Sequence, residues 1–176
     1  MAFVVGLGIP GRRPVRTLFS IALMFSVVVA AVAQMLVVGG AEITQSGIYE
    51  LKATDSNNVA GTSRAPDYSF VSDATTVPAR KGVNFGFEYR LTGVVRGLPV
   101  PIRHVVVFPE GGLRDPKDAK VVARRQYFFD ATVGNLYLRG YDLKEDWELV
   151  PGIWTLQVWY FEKKLAEKTF TLIKPE

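Results

Sequence analysis

The sequence predicts an all-β domain, an antiparallel β-sandwich of about seven strands preceded by a signal-peptide helix. Three observations support this fold class. Apolar and polar residues alternate over much of the chain after residue 41, and a period of two is typical of strands with one buried face. Turn-forming residues recur about every ten positions, and no long stretch has the spacing of an amphipathic helix.

The first 33 residues have the pattern of a bacterial export signal. Arg12, Arg13 and Arg16 form a basic region, and residues 18–38 follow as an almost unbroken apolar run. Small residues late in that run match the A-x-A site that signal peptidase cleaves. The residues of the predicted cleavage site are Ala31, Ala33 and Gln34, and a later cut after Ala41 is the alternative.

The same pattern leaves a second interpretation open, in which the apolar run stays as a membrane anchor. At about 1.5 Å rise per residue, residues 18–38 reach about 30 Å, the thickness of a hydrocarbon core. In both cases the positive-inside rule keeps the arginines cytoplasmic and places the rest outside. We therefore expect a periplasmic or secreted protein, or one anchored to the inner membrane. A short linker is expected over residues 34–41 and a β-sandwich domain over residues 42–176.

The excess positive charge of the chain lies in this leader. The chain has 21 Lys and Arg against 17 Asp and Glu, and three of the arginines but no acidic residue precede Ala33. The remainder carries 18 basic and 17 acidic residues and is nearly neutral. Nucleic acid is therefore not expected as a partner, because its recognition needs a basic stripe on the folded domain. The sequence has no cysteine, so neither a disulfide nor a lipid-modified cysteine is expected.

The clearest strand lies at residues 83–92, where Phe85, Phe87 and Tyr89 alternate with polar or small residues. A helix would scatter these rings around its surface, and Gly86 would cost it about 1 kcal/mol relative to alanine. Further strands are predicted by weaker alternation or by β-branched runs, at residues 43–53, 68–77, 102–108, 121–133 and 136–138. A polar loop is expected between the first two of these.

The chain is predicted to end in a hairpin. Residues 153–161 and 165–173 are its strands, and the charged residues 162–164 are its tip. In the first of these strands Trp154 and Trp159 lie on opposite faces. A helical turn is suggested only at residues 142–149.

Three stretches of the chain resemble a known family. They are SGIYE at residues 46–50, VPARKGVNFGF at residues 77–87, and the segment from WELVPGIW onward at residues 147–170. Together they resemble the bacterial exported family called domain of unknown function 3859. The Pro-Gly turn before the penultimate strand is also similar to the end of bacterial immunoglobulin-like sandwiches. The resemblance implies an immunoglobulin-like fold. It does not point to any particular activity, and it supplies no functional residues.

Neither a catalytic centre nor a metal site is predicted. His104 is the only histidine, and its alternation with apolar residues predicts a partly buried structural role, with a pH-sensitive role as the alternative. No serine lies in a G-x-S-x-G elbow. One histidine without cysteine cannot supply the usual zinc ligands, and the acidic clusters at Asp115 and Asp142 do not match a calcium loop. We expect no enzyme activity, no metal and no cofactor.

Aromatic residues supply the one functional prediction. The possible binding surface consists of Trp159, Phe161, Tyr141 and Trp147. Such a surface predicts an exported, non-catalytic binding or accessory module of the bacterial envelope, whose partner is an unknown envelope protein or a glycan. Two alternatives stay open. One is a carbohydrate-binding or carbohydrate-active protein that uses these rings, and the other is a membrane-tethered structural subunit.

Overall fold

The structure is a computed structural model that describes residues 37–51, 68–117 and 120–175. The predicted signal peptide, its cleavage site and residues 34–36 of the predicted linker lie outside the described residues, as does the predicted polar loop. Within those three ranges no helix is long and apolar enough to span a membrane.

The described residues form eleven strands and one short 3-10 helix, η1, at Asp146–Glu148. The strands are β1 Val38–Leu51, β2 Tyr68–Ser72, β3 Thr76–Pro78, β4 Asn84–Gly93, β5 Pro99–Val107, β6 Leu113–Arg114, β7 Val121–Val122, β8 Arg124–Thr132, β9 Leu136–Asp142, β10 Gly152–Tyr160 and β11 Lys163–Ile173. Sheet A has the strand order β2-β1-β4-β9, and sheet B has the order β3-β11-β10-β5-β8. A third, small sheet pairs β6 with β7.

Aromatic rings fill the space between sheets A and B. Phe85 of β4 packs against Trp154 of β10 and Phe170 of β11, with ring centroids 5.8 and 5.2 Å apart. Trp154 also contacts Tyr141 of β9 at 4.9 Å, and its indole N–H donates to the Val150 carbonyl at 3.0 Å. The alternation of buried and half-buried or exposed residues along β10 follows the predicted period of two. The chain is therefore a two-layer β-sandwich, as the sequence predicts.

Two strands and the helical turn have bounds that differ from the predicted ones. β1 begins at Val38, inside the segment predicted as a linker, because residues 38–49 pair with β4. β9 continues beyond Leu138 to Asp142, since residues 136–142 pair with β4 on its other side. The predicted helical turn is shorter than expected and is η1. Pairing to a distant strand sets the two strand boundaries.

Two predicted strands are each split in two. Residues 68–77 form β2, which joins sheet A, and β3, which joins sheet B by a parallel pairing with β11. Residues 121–133 form β7 and β8, which also belong to different sheets. The terminal hairpin is tighter than predicted, because the two lysines expected at its tip already belong to β11.

Strand β5 begins at Pro99 although proline lacks an N–H donor for a sheet. Pro99 and Pro101 pair with β8 on one side, whereas the pairing with β10 on the other side begins only at Arg103. The prolines therefore lie where β5 has one neighbour. Proline is tolerated in such edge positions because the side that lacks a donor needs none.

Three glycines lie in one row across sheet A. Gly86 of β4 is paired with Gly47 of β1 and with Gly140 of β9. A Cβ atom on Gly86 would lie 2.6 Å from the Cα of Gly140 and would also clash with the Arg139 carbonyl oxygen. This row lets the backbones of β4 and β9 approach closely, and it fixes the position of β9.

Replacing Gly86 by alanine is expected to lower the free energy of unfolding by about 1–3 kcal/mol, because the added methyl group pushes β9 away from β4. Urea denaturation measures this loss. Gly40→Ala is the matched control, since its Cβ would meet only the Thr92 hydroxyl at an ordinary 3.6 Å. Equal urea midpoints for the two variants would contradict the prediction.

Candidate functional site

Each sheet has two edge strands, and at one side of the sandwich they are β8 of sheet B and β9 of sheet A. We call this the open side, because two cavities lie beside β9 there. Among the described residues no strand pairs with the outer side of β8 or β9. The connection between them turns at Gly134, and the Tyr137 hydroxyl accepts a hydrogen bond from the Thr132 backbone N–H at 2.6 Å. Edge strands of this kind leave backbone donors and acceptors available to a partner.

Two cavities flank β9 at this open side. The larger has a volume of about 570 Å³, and the smaller has about 350 Å³. Both are bounded by Gly140 and Asp142, and we call the two together the β9 cleft. The larger cavity has mainly apolar walls, which include His104, Phe129, Leu136, Tyr137 and Leu138. The smaller cavity is bounded by charged and phenolic side chains, namely Arg125, Tyr127, Arg139, Tyr141, Lys144 and Glu148.

His104 of β5 points into the sandwich at the wall of the larger cavity. Its Nε2 is hydrogen-bonded to the Tyr89 hydroxyl at 2.8 Å, and its ring lies 4.7 Å from that of Phe129. Burial, reinforced by the positive charge of Arg139, lowers the pKa of His104 to about 3. The ring is therefore neutral at pH 7 and already has a partner. The predicted partial burial of this histidine is confirmed.

Asp142 and Glu148, the two carboxylates of the cleft, are both held by neighbouring groups. Asp142 accepts hydrogen bonds from the Tyr68 hydroxyl at 3.0 Å and from the Asn84 side-chain amide, and it lies 3.5 Å from the Lys144 amine. Glu148 accepts from the Tyr141 hydroxyl at 2.8 Å and from two backbone N–H groups at the start of η1. Burial is the main cause that raises the pKa of Tyr141, and the Glu148 carboxylate raises it further. Both carboxylates thus serve the fold.

Arg139 is the exception among the charged groups of the cleft. It lies between Tyr137 and Tyr141 on β9 and is 4% exposed, and its Nη1 donates to the Gly140 carbonyl at 2.6 Å. Its Nε and Nη2 are buried and have no hydrogen-bond partner among the described residues. Burial lowers the pKa of Arg139 to about 10, so the guanidinium keeps its charge at neutral pH. A buried cation whose donors are unpaired is unfavourable in a free protein.

The four residues of the predicted binding surface lie in separate places. Tyr141 is 8% exposed and packs in the core, and Trp147 of η1 is partly buried beneath the Arg125 guanidinium, which lies 5.3 Å from its ring. Trp159 and Phe161 lie on and beside the outer face of sheet B. They do not form one aromatic surface with Tyr141 and Trp147. Burial removes the Tyr141 ring from the surface, although part of it bounds the β9 cleft.

The outer face of sheet B has its own small cluster. Trp159, Arg103 and Phe128 are neighbours in one row across β10, β5 and β8. The Arg103 guanidinium lies 5.2 Å from the Trp159 ring and donates to the Phe161 carbonyl at 3.1 Å. The Trp159 indole N–H donates to Gln157 at 2.8 Å. We call these four residues, Arg103, Phe128, Trp159 and Phe161, the outer-face cluster.

Sequence reasoning missed Arg139 and the open side of the sandwich. The signal was present, since Arg139 alternates with Tyr137 and Tyr141 and a charged residue on an aromatic strand face is unusual. It was missed because the predicted strand ended at Leu138. Which strands lie at the edges follows from sheet order, which no local pattern contains.

A comparison with solved structures identifies the class of this sandwich. An immunoglobulin-like protein from Pseudomonas aeruginosa is 24% identical to this chain and superimposes with a TM-score of 0.55, covering 76% of this chain and 96% of its own. At this level of identity the likeness shows the fold alone. The domain is an immunoglobulin-like β-sandwich.

The family follows from the sequence of the same region. Residues 39–172 match the model of the family described as "Domain of unknown function (DUF3859)", and the chain belongs to this family. The resemblance and the fold class predicted from the sequence are confirmed. A β-D-glucoside glucohydrolase from Trichoderma reesei is 10% identical, has a TM-score of 0.34 and is covered over 19% of its length, which is too weak a likeness to support any argument. A comparison with curated proteins found no match.

Proposed function

We propose that this protein is an exported, non-catalytic binding module of the bacterial envelope and that it binds its partner at the β9 cleft. The observation that carries the proposal is the open side of the sandwich, where cavities of about 570 and 350 Å³ flank an edge strand. Concave, largely apolar sites with a few polar groups are where proteins hold ligands.

The edge strand itself supports a binding role. β9 has the sequence LYLRGYD, with a single basic residue, and that residue is buried. Proteins commonly protect exposed edges with prolines, bulges or charged residues. β9 has neither a proline nor a bulge in its pairing with β4, and its two charged residues are the inward-pointing Arg139 and the hydrogen-bonded Asp142. An edge left in this state suits a partner that adds contacts along it.

The charged groups of the cleft favour binding over catalysis. A general acid or base needs a free ionisable group with a pKa near the working pH. His104 is neutral with its Nε2 engaged, and Asp142 and Glu148 are held in hydrogen bonds that support the fold. These observations support a binding module, and they are the reason that we propose no reaction here.

A matched pair of surface variants tests the site. Leu136→Lys places a charge at the wall of the cleft. Ile153→Lys places the same charge on β10, at a residue that does not line the cleft. Both side chains are exposed, by 43% and 61%. We expect a partner that is retained from envelope extracts by the wild type to be retained by Ile153→Lys and lost by Leu136→Lys. Equal retention by the two variants would place binding elsewhere and contradict the proposal.

The mass of the protein recovered from cells tests the export part of the proposal. Cleavage after Ala33 gives a chain that begins at Gln34 in the periplasm or medium. An uncleaved chain in the inner membrane would instead support the membrane-tethered alternative. Intact chain in the soluble cytosol would contradict both.

The carbohydrate alternative rests on the outer-face cluster. Trp159 is partly exposed there and Phe128 is exposed, and sugars stack on exposed rings. However, the Arg103 guanidinium already lies over the Trp159 ring. A glycan array with the wild type and with Trp159→Ala tests this version. Sugar binding that Trp159→Ala abolishes would favour the carbohydrate alternative over binding at the β9 cleft. No binding at millimolar sugar would contradict the carbohydrate alternative.

A further inference from the structure

We propose that the smaller cavity of the β9 cleft is a carboxylate-binding site, in which Nε and Nη2 of Arg139 donate hydrogen bonds to the two oxygens of a singly charged carboxylate. The proposal rests on the binding function proposed above and names the chemistry of its ligand. Arg139 carries it, because its two remaining donor atoms are buried and unpaired within the described residues. Buried polar groups in folded proteins nearly always have partners, and an exception calls for one.

The geometry of the guanidinium matches a carboxylate. Nε and Nη2 lie on one side of the planar group, and their parallel N–H bonds match the two oxygens of a carboxylate in a bidentate pair. Nη1 is already committed to the Gly140 carbonyl and fixes the orientation of the fork. The side chain is therefore oriented before any ligand arrives.

Tyr127 offers the path to these atoms. It borders the same cavity as Arg139 and is 53% exposed on the edge strand β8. The proposed site requires this exposed ring to rotate to another staggered rotamer, so that a ligand can reach Nε and Nη2. The carboxylate then occupies the space that this ring leaves beside the guanidinium.

The charges around the cavity favour one negative charge over two. Arg125, Arg139 and Lys144 face Asp142 and Glu148, which gives a formal excess of one positive charge. A singly charged carboxylate neutralises this excess. A phosphate dianion carries more negative charge than this excess, so the two carboxylates of the cavity would repel it.

Nuclear magnetic resonance of the arginine side chains tests the proposal on the wild-type protein. The Nε–Hε signal of Arg139 is assigned by its loss in Arg139→Lys and is followed while sodium acetate replaces sodium chloride at constant ionic strength. We expect a saturable shift with a dissociation constant on the order of 1 mM. Sodium phosphate is expected to shift the same signal at least about tenfold more weakly.

Thermal unfolding of two arginine variants gives a second measurement. Acetate is expected to raise the unfolding midpoint of the wild type and of Arg103→Met, a matched change in the outer-face cluster, but not that of Arg139→Met. A linear, unsaturable drift of the Arg139 signal, or an equal acetate response of the two methionine variants, would overturn the proposal. The signal of the wild type decides the matter if Arg139→Met does not fold.

Further measurements identify the source of the carboxylate and distinguish failure of the carboxylate site from failure of the proposed binding function. An N-acetylated dipeptide is compared with its C-terminal amide, and tighter binding of the free acid than of acetate would identify a peptide terminus as the source. Equal binding of acetate and the dipeptide acid would identify a small free carboxylate. Absence of acetate binding together with partner loss in Leu136→Lys would refute the carboxylate site and leave the binding function standing. Acetate binding together with partner retention in Leu136→Lys would support the carboxylate site and refute the proposed binding function.

Discussion

Lowering the pH from 7.5 to 5.0 is expected to reduce the free energy of unfolding by about 2 kcal/mol through His104 alone. In the unfolded chain this histidine titrates near the ordinary value of 6.5, whereas burial lowers its pKa to about 3 in the folded protein. Between those values the unfolded state binds a proton that the native state does not. The stabilisation is therefore complete above pH 6.5 and is lost as the pH falls toward 3, where the total loss reaches about 4–5 kcal/mol.

Urea denaturation at a series of pH values measures this loss, with His104→Gln as the control. Glutamine keeps a polar group opposite the Tyr89 hydroxyl but cannot take up a proton. The difference between the two pH profiles isolates His104 from all other titrating groups. Parallel profiles for the wild type and the variant would show that the folded histidine titrates normally, against our expectation.

Trp154→Ala is expected to lower the free energy of unfolding by about 3–5 kcal/mol, the usual cost of deleting a buried aromatic side chain. Trp154 is fully buried. Its ring contacts Phe85 and Tyr141 of sheet A and Phe108, which follows β5. Its loss leaves a cavity between the two sheets. It also leaves the Val150 carbonyl without the indole donor.

Trp159→Ala is the matched control, since it makes the same chemical change five residues along the same strand. Its ring lies on the outer face and is partly exposed, so we expect a loss of about 1 kcal/mol. Comparable losses in the two variants would contradict the assignment of the two faces of β10. The tryptophan pair therefore tests the fold directly.

The β9 cleft links the stability of this domain with the binding that we propose. Gly86 and Gly140 bring β9 close to β4, and β9 in turn carries Arg139 into the space between the sheets. The positive charge of that arginine contributes to the low pKa of His104. A ligand that neutralises Arg139 is therefore expected to act on the stability of the same region.

The amino-acid sequence determined the fold class and the orientation of most side chains. Alternation placed Phe85 and Phe87 on one face of β4 and separated Trp154 from Trp159 on β10, because a period of two is a local property of the strand, whereas the structure decided that the Trp154 face is the core. The partly buried role of His104 followed from the same pattern, and the family was recognised from short stretches of the chain.

Tertiary structure decided where strands divide and which of them lie at an edge. Residues 68–77 contribute strands to both sheets, and β9 extends to Asp142 because it pairs with β4, about fifty residues earlier in the chain. These pairings join residues that are distant in sequence, so no local pattern encodes them. The burial of Nε and Nη2 of Arg139, which have no partner among the described residues, follows from the same pairings, since a charged residue on a strand becomes a buried one only when the opposite sheet closes over it.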